Sequence, residues 1–261
     1  NSNGGNDIVG LSHPSRIIDD VTLRMGDGVD TVQIDDSAST VNNSFINSNA
    51  HADSIILRKI ISSSVRGGQG DDTLTINELN SSRVNGNKGD DTIAASGASS
   101  SSIFGGGGSD TTTLDGNYNT AKIFGDLGND VITVNNNSSI VASSVNGNVG
   151  NDTITVNAIT AFSGSTLFGG QGDDTINAAN STIGVAASGD SGSDNLTGGT
   201  GGDTITGGQG HDTITGGGGS DNMSGGAGND TFILNTGDII AGETIDGGSA
   251  ISTTARDCSA E

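Results

Sequence analysis

Apolar side chains in this chain come in short alternating runs, each introduced by glycine and aspartate. At 72–76 the order Asp-Thr-Leu-Thr-Ile puts two apolar residues on one face of an extended segment. An Asp two places after a Gly and two places before an apolar residue recurs at Asp7, Asp30, Asp72, Asp91, Asp130, Asp152 and Asp174, and Asp53 and Asp110 fit with one defect each. The intervals from Asp7 to Asp194 are 23, 23, 19, 19, 19, 20, 22, 22 and 20 residues, after which the repeat drops to nine. Two nine-residue units make a coil of about 18 residues, so a long interval reads as the same coil with one of its two turns altered.

On this basis residues 2–246 divide without remainder into twelve coils, from 2–24, 25–47 and 48–66 to 189–206, 207–224 and 225–246. Two columns that did not define the cut are apolar throughout. One runs Leu23, Ile46, Val65, Val84, Ile103, Ile123, Val145, Leu167, Ala187, Ile205, Met223 and Ile245; the other runs Leu11, Ile34, Leu57, Ile76, Ala95, Leu114, Val134, Val156 and Ala178. The pattern predicts an all-β chain, a right-handed parallel β-roll or β-solenoid of coils with 18–23 residues. Stacked coils bury a thin aliphatic core that no single coil could bury alone. At the ~4.8 Å strand spacing, twelve coils give a rod roughly 55 Å long. Three sections follow: long coils at 2–188, nine-residue units at 189–246 continuous with them, and a non-repeat tail at 247–261.

The two corners of a coil differ. One is a Gly-Asp loop; the other, in the long coils, is rich in Asn, Ser and Ala, as in NELNSS (77–82), ASGASSSS (95–102) and NNNSSIVASS (135–144). Such residues favour turns by bonding local backbone groups. These corners have no carboxylate at the ligand place and are expected to hold no metal.

Composition turns the pattern toward a metal. Acidic residues outnumber basic ones 31 to 9, for a formal charge of −22, and such self-repulsion opposes compaction unless cations bind. Between Ile123 and Ala255 there is no Lys or Arg, which argues against nucleic acid and anionic membrane as partners. The single cysteine, Cys258, leaves no disulfide within the chain, and no apolar run approaches the ~20 residues of a membrane span. The opening residues carry no signal-peptide pattern and begin inside a repeat (SNGGNDIVG, 2–10), as a segment of a longer chain would.

The ligand chemistry is all oxygen. Ca²⁺ takes six to eight oxygens from carboxylates and backbone carbonyls, and the Gly-Asp loops offer both. The expected carboxylate row is Asp72, Asp91, Asp110, Asp130, Asp152, Asp174, Asp194, Asp212 and Asp230, with a second row starting at Asp203 and Asp221, and Asp7 and Asp30 are further candidate ligands. Backbone carbonyls around Gly68, Gly70, Gly170, Gly172, Gly199, Gly208, Gly210, Gly226 and Gly228 complete the expected cages. One ion per adjacent pair of good loops gives about nine Ca²⁺. The first loops are poorer, with His51 in a glycine place and only Gly26 and Gly28 kept at 25–47.

The units GGQGDDTLT (67–75), GGQGDDTIN (169–177), GGQGHDTIT (207–215) and GGAGNDTFI (225–233) resemble the hemolysin-type calcium-binding (RTX) repeat family. The resemblance is strong at 189–233 and partial, one turn per coil, at 2–188. It implies a β-roll that orders on binding calcium, after type I secretion, outside the cell or at its surface. The long one-sided coils depart from the family's nine-residue tandem.

Catalysis is not expected. His13, His51 and His211 lie in three separate coils, and paired acids such as Asp71–Asp72 and Asp90–Asp91 are read as a variable place beside a ligand. Three functions remain. The first is an extracellular structural protein, a calcium-stiffened rod of a surface layer, filament or adhesin that self-associates. The second is the secretion-and-folding module of a larger exported enzyme or toxin. The third is an ice-binding solenoid, suggested by Thr73 and Thr75, Thr111 and Thr113, Thr153 and Thr155, Thr204 and Thr206, and Thr213 and Thr215, although Ala94, Val131, Asn177 and Asn195 interrupt the array.

Overall fold

The structure is a computed structural model and describes residues 4–10, 17–36, 38–234, 242–249 and 254–257, the last four as backbone only. His13, Leu11 and Cys258 lie outside the described residues. The chain is a parallel β-solenoid. One coil shows the plan: Arg83–Lys88 is a strand, Gly89–Asp91 turns the chain, Thr92–Ser99 runs back, and Ser100–Ser101 returns it to the next strand, Ser102–Gly107.

Strands equivalent to Arg83–Lys88 stack into a sheet of twelve, from Thr22–Asp27 to Thr244–Asp246, each in parallel register with the next. The returning strands build a second parallel sheet, of seventeen strands. Alternation sends Val84 and its equivalents Val65, Ile103, Ile123 and Val145 inward from one sheet, and Leu74, Ile93, Ile132 and Ile154 inward from the other. At 110–114 a threonine stands in the apolar place, and Thr112 is buried at 2% exposure. Among the described residues no helix is long and apolar enough to cross a membrane.

The Asn/Ser/Ala-rich segments are less of a corner than their composition suggests. Thr73–Asn80 and Thr92–Ser99 are unbroken eight-residue strands, and Thr111–Asn119 has nine. They add a third buried column, Val41, Ile60, Leu79, Ala98, Tyr118 and Ile140. A three-residue step from Ile76 to Leu79 breaks the period of two, so both side chains face inward only if the strand bends. In Thr111–Asn119 one extra residue lengthens the step from Leu114 to Tyr118 to four, which shifts the register between Ala95 and Gly97 and puts Gly116 at φ 82°. Each long coil is therefore longer because it carries an extra packed side. Its true corner is short, with a left-handed residue such as Ser81 (φ 48°) or Ser100 (φ 49°).

Both sheets cross residue 188 without a break, the twelve-stranded one through Leu167 opposite Ala187 and Ala186 opposite Thr204, the other through Thr175 opposite Asn195. The sequence repeat ends near 246, yet the backbone pairing does not: Thr254–Asp257 pairs in parallel with Thr231–Leu234.

Candidate metal centre

All the Gly-Asp corners but those of Asp203 and Asp221 align into one file. The backbone N–H of each Asp donates to Oδ1 of the Asp one coil on: Asp7 to Asp30 at 2.8 Å, Asp30 to Asp53 at 2.7 Å, and Asp53 to Asp72 at 2.8 Å. The file continues through Asp91, Asp110, Asp130, Asp152, Asp174, Asp194 and Asp212 to Asp230, at 2.7–3.1 Å. Asp53 is a full member, although its defective loop kept it out of the expected ligand set. The step from Asp30 to Asp72, which spans two coil lengths, was the signal that placed it.

At the opposite corner the N–H of Val185 donates to Asp203 Oδ1 and that of Asp203 to Asp221 Oδ1, both at 2.8 Å. Asp203 and Asp221 thus occupy a second file. In the long coils serine fills this place. Ser44, Ser63, Ser82 and Ser101 accept the amides of Val21, Ser44, Ser63 and Ser82 at 3.0–3.1 Å. Ser143 and Ser165 accept those of Ala121 and Ser143. The serine hydroxyls donate in turn to a carbonyl two residues back, as Ser82 Oγ does to Asn80 O at 2.7 Å. A hydroxyl meets the same amide as a carboxylate does, disposes of its own proton and needs no counter-ion.

The second carboxylate oxygen decides what the aspartate file can do. Oδ2 of Asp7, Asp30, Asp53, Asp72, Asp91, Asp110, Asp130, Asp152, Asp174, Asp194, Asp212 and Asp230 is buried without a hydrogen-bond partner. A buried anionic oxygen in that state is costly, and a bound cation is the economical remedy. Asp203 differs, because the N–H of Gly199 donates to its Oδ2 at 2.8 Å. Among the described residues no three His, Cys, Asp or Glu side chains converge, so any ion here would draw its remaining oxygens from the backbone.

Glycine makes the carboxylate cradle. A Cβ on Gly86 would stand 2.0 Å from Asp91 Oδ2, and one on Gly67, Gly105 or Gly125 would stand 2.2–2.4 Å from the matching oxygen. Met25 and Ser48 hold this inward place ahead of Asp30 and Asp53. The Ser48 hydroxyl donates to Gly67 O at 2.5 Å, so these first cradles are partly filled. Deeper in the loops, positive φ is kept at Gly68, Gly70, Gly170, Gly172, Gly208, Gly210, Gly226 and Gly228. There the carbonyl of one loop lies under the next glycine; a Cβ on Gly89 would meet Gly70 O at 2.2 Å. Gly199 lacks the positive φ, and its carbonyl lies under Gly217.

Burial, and secondarily the neighbouring aspartates, pushes Asp72, Asp91, Asp110, Asp130 and Asp174 up to about 7, against a backbone hydrogen bond that pulls each down. Asp194 and Asp203 are raised by burial to about 6, and Asp53, Asp152 and Asp212 are raised as well. An all-oxygen, carboxylate-centred set of this kind fits a hard divalent cation.

The place before the ligand Asp is not a free one. Asp71 Oδ1 accepts the amide of Asp90, Asp90 that of Ser109, Asn129 that of Asn151, and Asn151 that of Asp173, at 2.7–2.9 Å. His211 Nδ1 accepts the amide of Asn229 at 2.9 Å. This outer ladder needs an acceptor, which explains Asp, Asn, Ser and His there, and a one-coil view of the sequence missed it.

A model of the RTX calcium-binding nonapeptide repeat matches in four copies, at residues 164–181, 188–223, 197–232 and 210–238. No curated protein sequence matches the chain. A solved structure, a hyperactive, Ca²⁺-dependent, β-helical antifreeze protein from an Antarctic bacterium, superposes with a TM-score of 0.63 at 18% identity, covering 90% of this chain and 84% of that one. At that identity the likeness carries the fold. The matched segments at 164–238 are RTX calcium-binding nonapeptide repeats, and the chain as a whole is a β-solenoid built around them.

Proposed function

We propose that this chain is a calcium-conditioned structural rod of an exported protein, without catalysis of its own, acting as part of a surface layer, filament or adhesin stalk. The file of buried, unpartnered Asp Oδ2 atoms from Asp7 to Asp230 carries the reading. Bound ions would cancel charge along the whole length of a thin-cored rod, so its stiffness would depend on outside calcium. About nine ions occupy the good loops in this reading, and the cradles filled by Met25 and Ser48 bind weakest. RTX repeats are typical of secreted proteins, which supports an extracellular place; the module of a larger enzyme or toxin is the runner-up.

The test pairs far-UV circular dichroism with small-angle X-ray scattering, in chelator and in millimolar calcium. The expected result, above pH 7 where the buried carboxylates ionise, is an expanded, poorly ordered chain that becomes a rod on adding calcium. Identical profiles in both conditions overturn the reading.

Ice binding is the second reading, and one observation favours it. Thr73, Thr92, Thr111, Thr153, Thr175, Thr213 and Thr231 stand in register on the seventeen-stranded sheet, beside Thr75, Thr113, Thr133, Thr155, Thr197 and Thr215. Thr204 and Thr206 belong to the other sheet and leave the array. Thermal hysteresis of the calcium-loaded protein decides, and its absence removes this reading.

A further inference from the structure

The outer face of the twelve-stranded sheet carries a feature that neither calcium nor threonine explains. Five of the nine basic residues, Arg24, Arg66, Arg83, Lys88 and Lys122, project from neighbouring strands of this one face, in a chain of net charge −22. Phenylalanines stand among them. The Arg24 and Arg66 guanidiniums lie 5.6 and 5.4 Å from the Phe45 ring centre, and that of Arg83 lies 3.8 Å from Phe104. Phe104 stacks on Phe124 at 5.1 Å and 23°. These rings are only half-buried, on the solvent side of the sheet.

A groove runs beside them along the rod. One section, of 420 Å³, is lined by Arg66, Lys88, Asn47, Gln69 and one carboxylate, Asp27, among others. The next, of 720 Å³, is lined by Asp126, Asn146, Asn148 and Gln171 among others. The two sections are neighbours, since Asn87 of the first pairs with Gly106 of the second. Left-handed residues form its floor, Asn49, Asn87, Asp126, Asn148 and Asp190, each of which pulls the strand back from the surface.

We propose that this face binds an acidic polysaccharide lying along the rod axis. Guanidinium and ammonium groups would pair with its carboxylates or sulfates, the exposed Phe faces would pack on the C–H faces of sugar rings, and the groove amides would take hydroxyls. Arginines already resting on aromatic rings are held for bidentate contact at reduced entropic cost. A polymer that repeats one sugar at a time suits a wall that repeats one strand at a time. The basic half of the face gives the attraction its direction: binding is anchored between Thr22 and Leu127, while the acidic remainder of the rod repels the same polymer.

The experiment uses the whole chain in calcium, with folding verified by circular dichroism. Calorimetry measures binding of carboxymethyl-dextran, neutral dextran of equal length, and polyacrylate of equal charge. Carboxymethyl-dextran is expected to bind more tightly than either control. The double variant Arg66→Ala/Arg83→Ala, at exposed positions, should weaken it by about tenfold or more. Phe104→Ala should weaken carboxymethyl-dextran and leave polyacrylate unchanged. Equal affinity for polyacrylate, insensitivity to the double variant, or a patch that instead joins two copies of this chain in light scattering overturns the proposal. Loss of calcium-dependent order in the unmodified chain would instead count against the rod, and so the two readings fail separately.

Discussion

At the scale of single residues, the site depends as much on absent side chains as on present ones. Gly86 has an ordinary backbone conformation, yet its missing Cβ leaves room for Asp91 Oδ2, which a methyl would approach to 2.0 Å. A Cβ on Gly107 would meet only Asn87 O, at 3.8 Å. Gly86→Ala is therefore expected to displace the Asp91 carboxylate, to cost about 1–3 kcal/mol as an overpacked core does, and to shift the calcium midpoint of folding upward. Gly107→Ala should leave both unchanged. Calcium titrations followed by circular dichroism compare the two, and equal midpoints would show that the cradle is not what the first loop glycine provides. The aspartates themselves were legible in the sequence because their spacing survives every change of coil length. Asp53 was visible by interval and hidden by its loop, where Ser48, Asn49 and His51 replace glycines. Asn49 and His51 reach φ 78° and 80° without glycine, which a motif written in glycines cannot anticipate.

At the scale of the element, the coil's two corners solve one problem in two ways. An amide at each turn must find an acceptor one coil on, and carboxylate or hydroxyl serves. The serine file at Ser44, Ser63, Ser82 and Ser101 does this neutrally, so this corner should hold without calcium. Ser82→Ala removes the acceptor for the buried Ser63 amide. It is expected to cost about 1–3 kcal/mol, by the same amount at low and high calcium once the rod is folded. Urea unfolding at two saturating calcium concentrations tests this; a loss that shrinks as calcium rises would mean the serine corner is also metal-linked. Here sequence reading fell short. Composition labelled NELN and ASGA as corner, whereas Leu79 and Ala98 are core residues of a bent strand. A period of two cannot register a three-residue step, and only the next coil's Tyr118 and Ile140 in the same column would have exposed it.

At the scale of the molecule, the stacked aspartates from Asp53 to Asp212 make the fold a titration system. Burial raises Asp72, Asp91, Asp110, Asp130 and Asp174 to about 7, against 3.8 for an unconstrained aspartate. Between those values the folded metal-free chain holds more protons than the unfolded one, so its stability falls as pH rises through that window and is fully retained only below about 4. Glu78 works in the opposite sense, since the hydrogen bond from Lys59 at 2.8 Å lowers it. Protons and calcium thus neutralise the same oxygens. Raising the pH from 5 to 7 should weaken the calcium-free rod and strengthen calcium binding, and calcium added near pH 6 should release protons. Thermal melts across pH 5–7 in calcium-free buffer, paired with proton release in weakly buffered solution, measure both sides. A metal-free chain that gains stability toward pH 7, or calcium uptake without proton release at pH 6, would mean that the buried carboxylates are already ionised, and that repulsion alone sets the need for the ion.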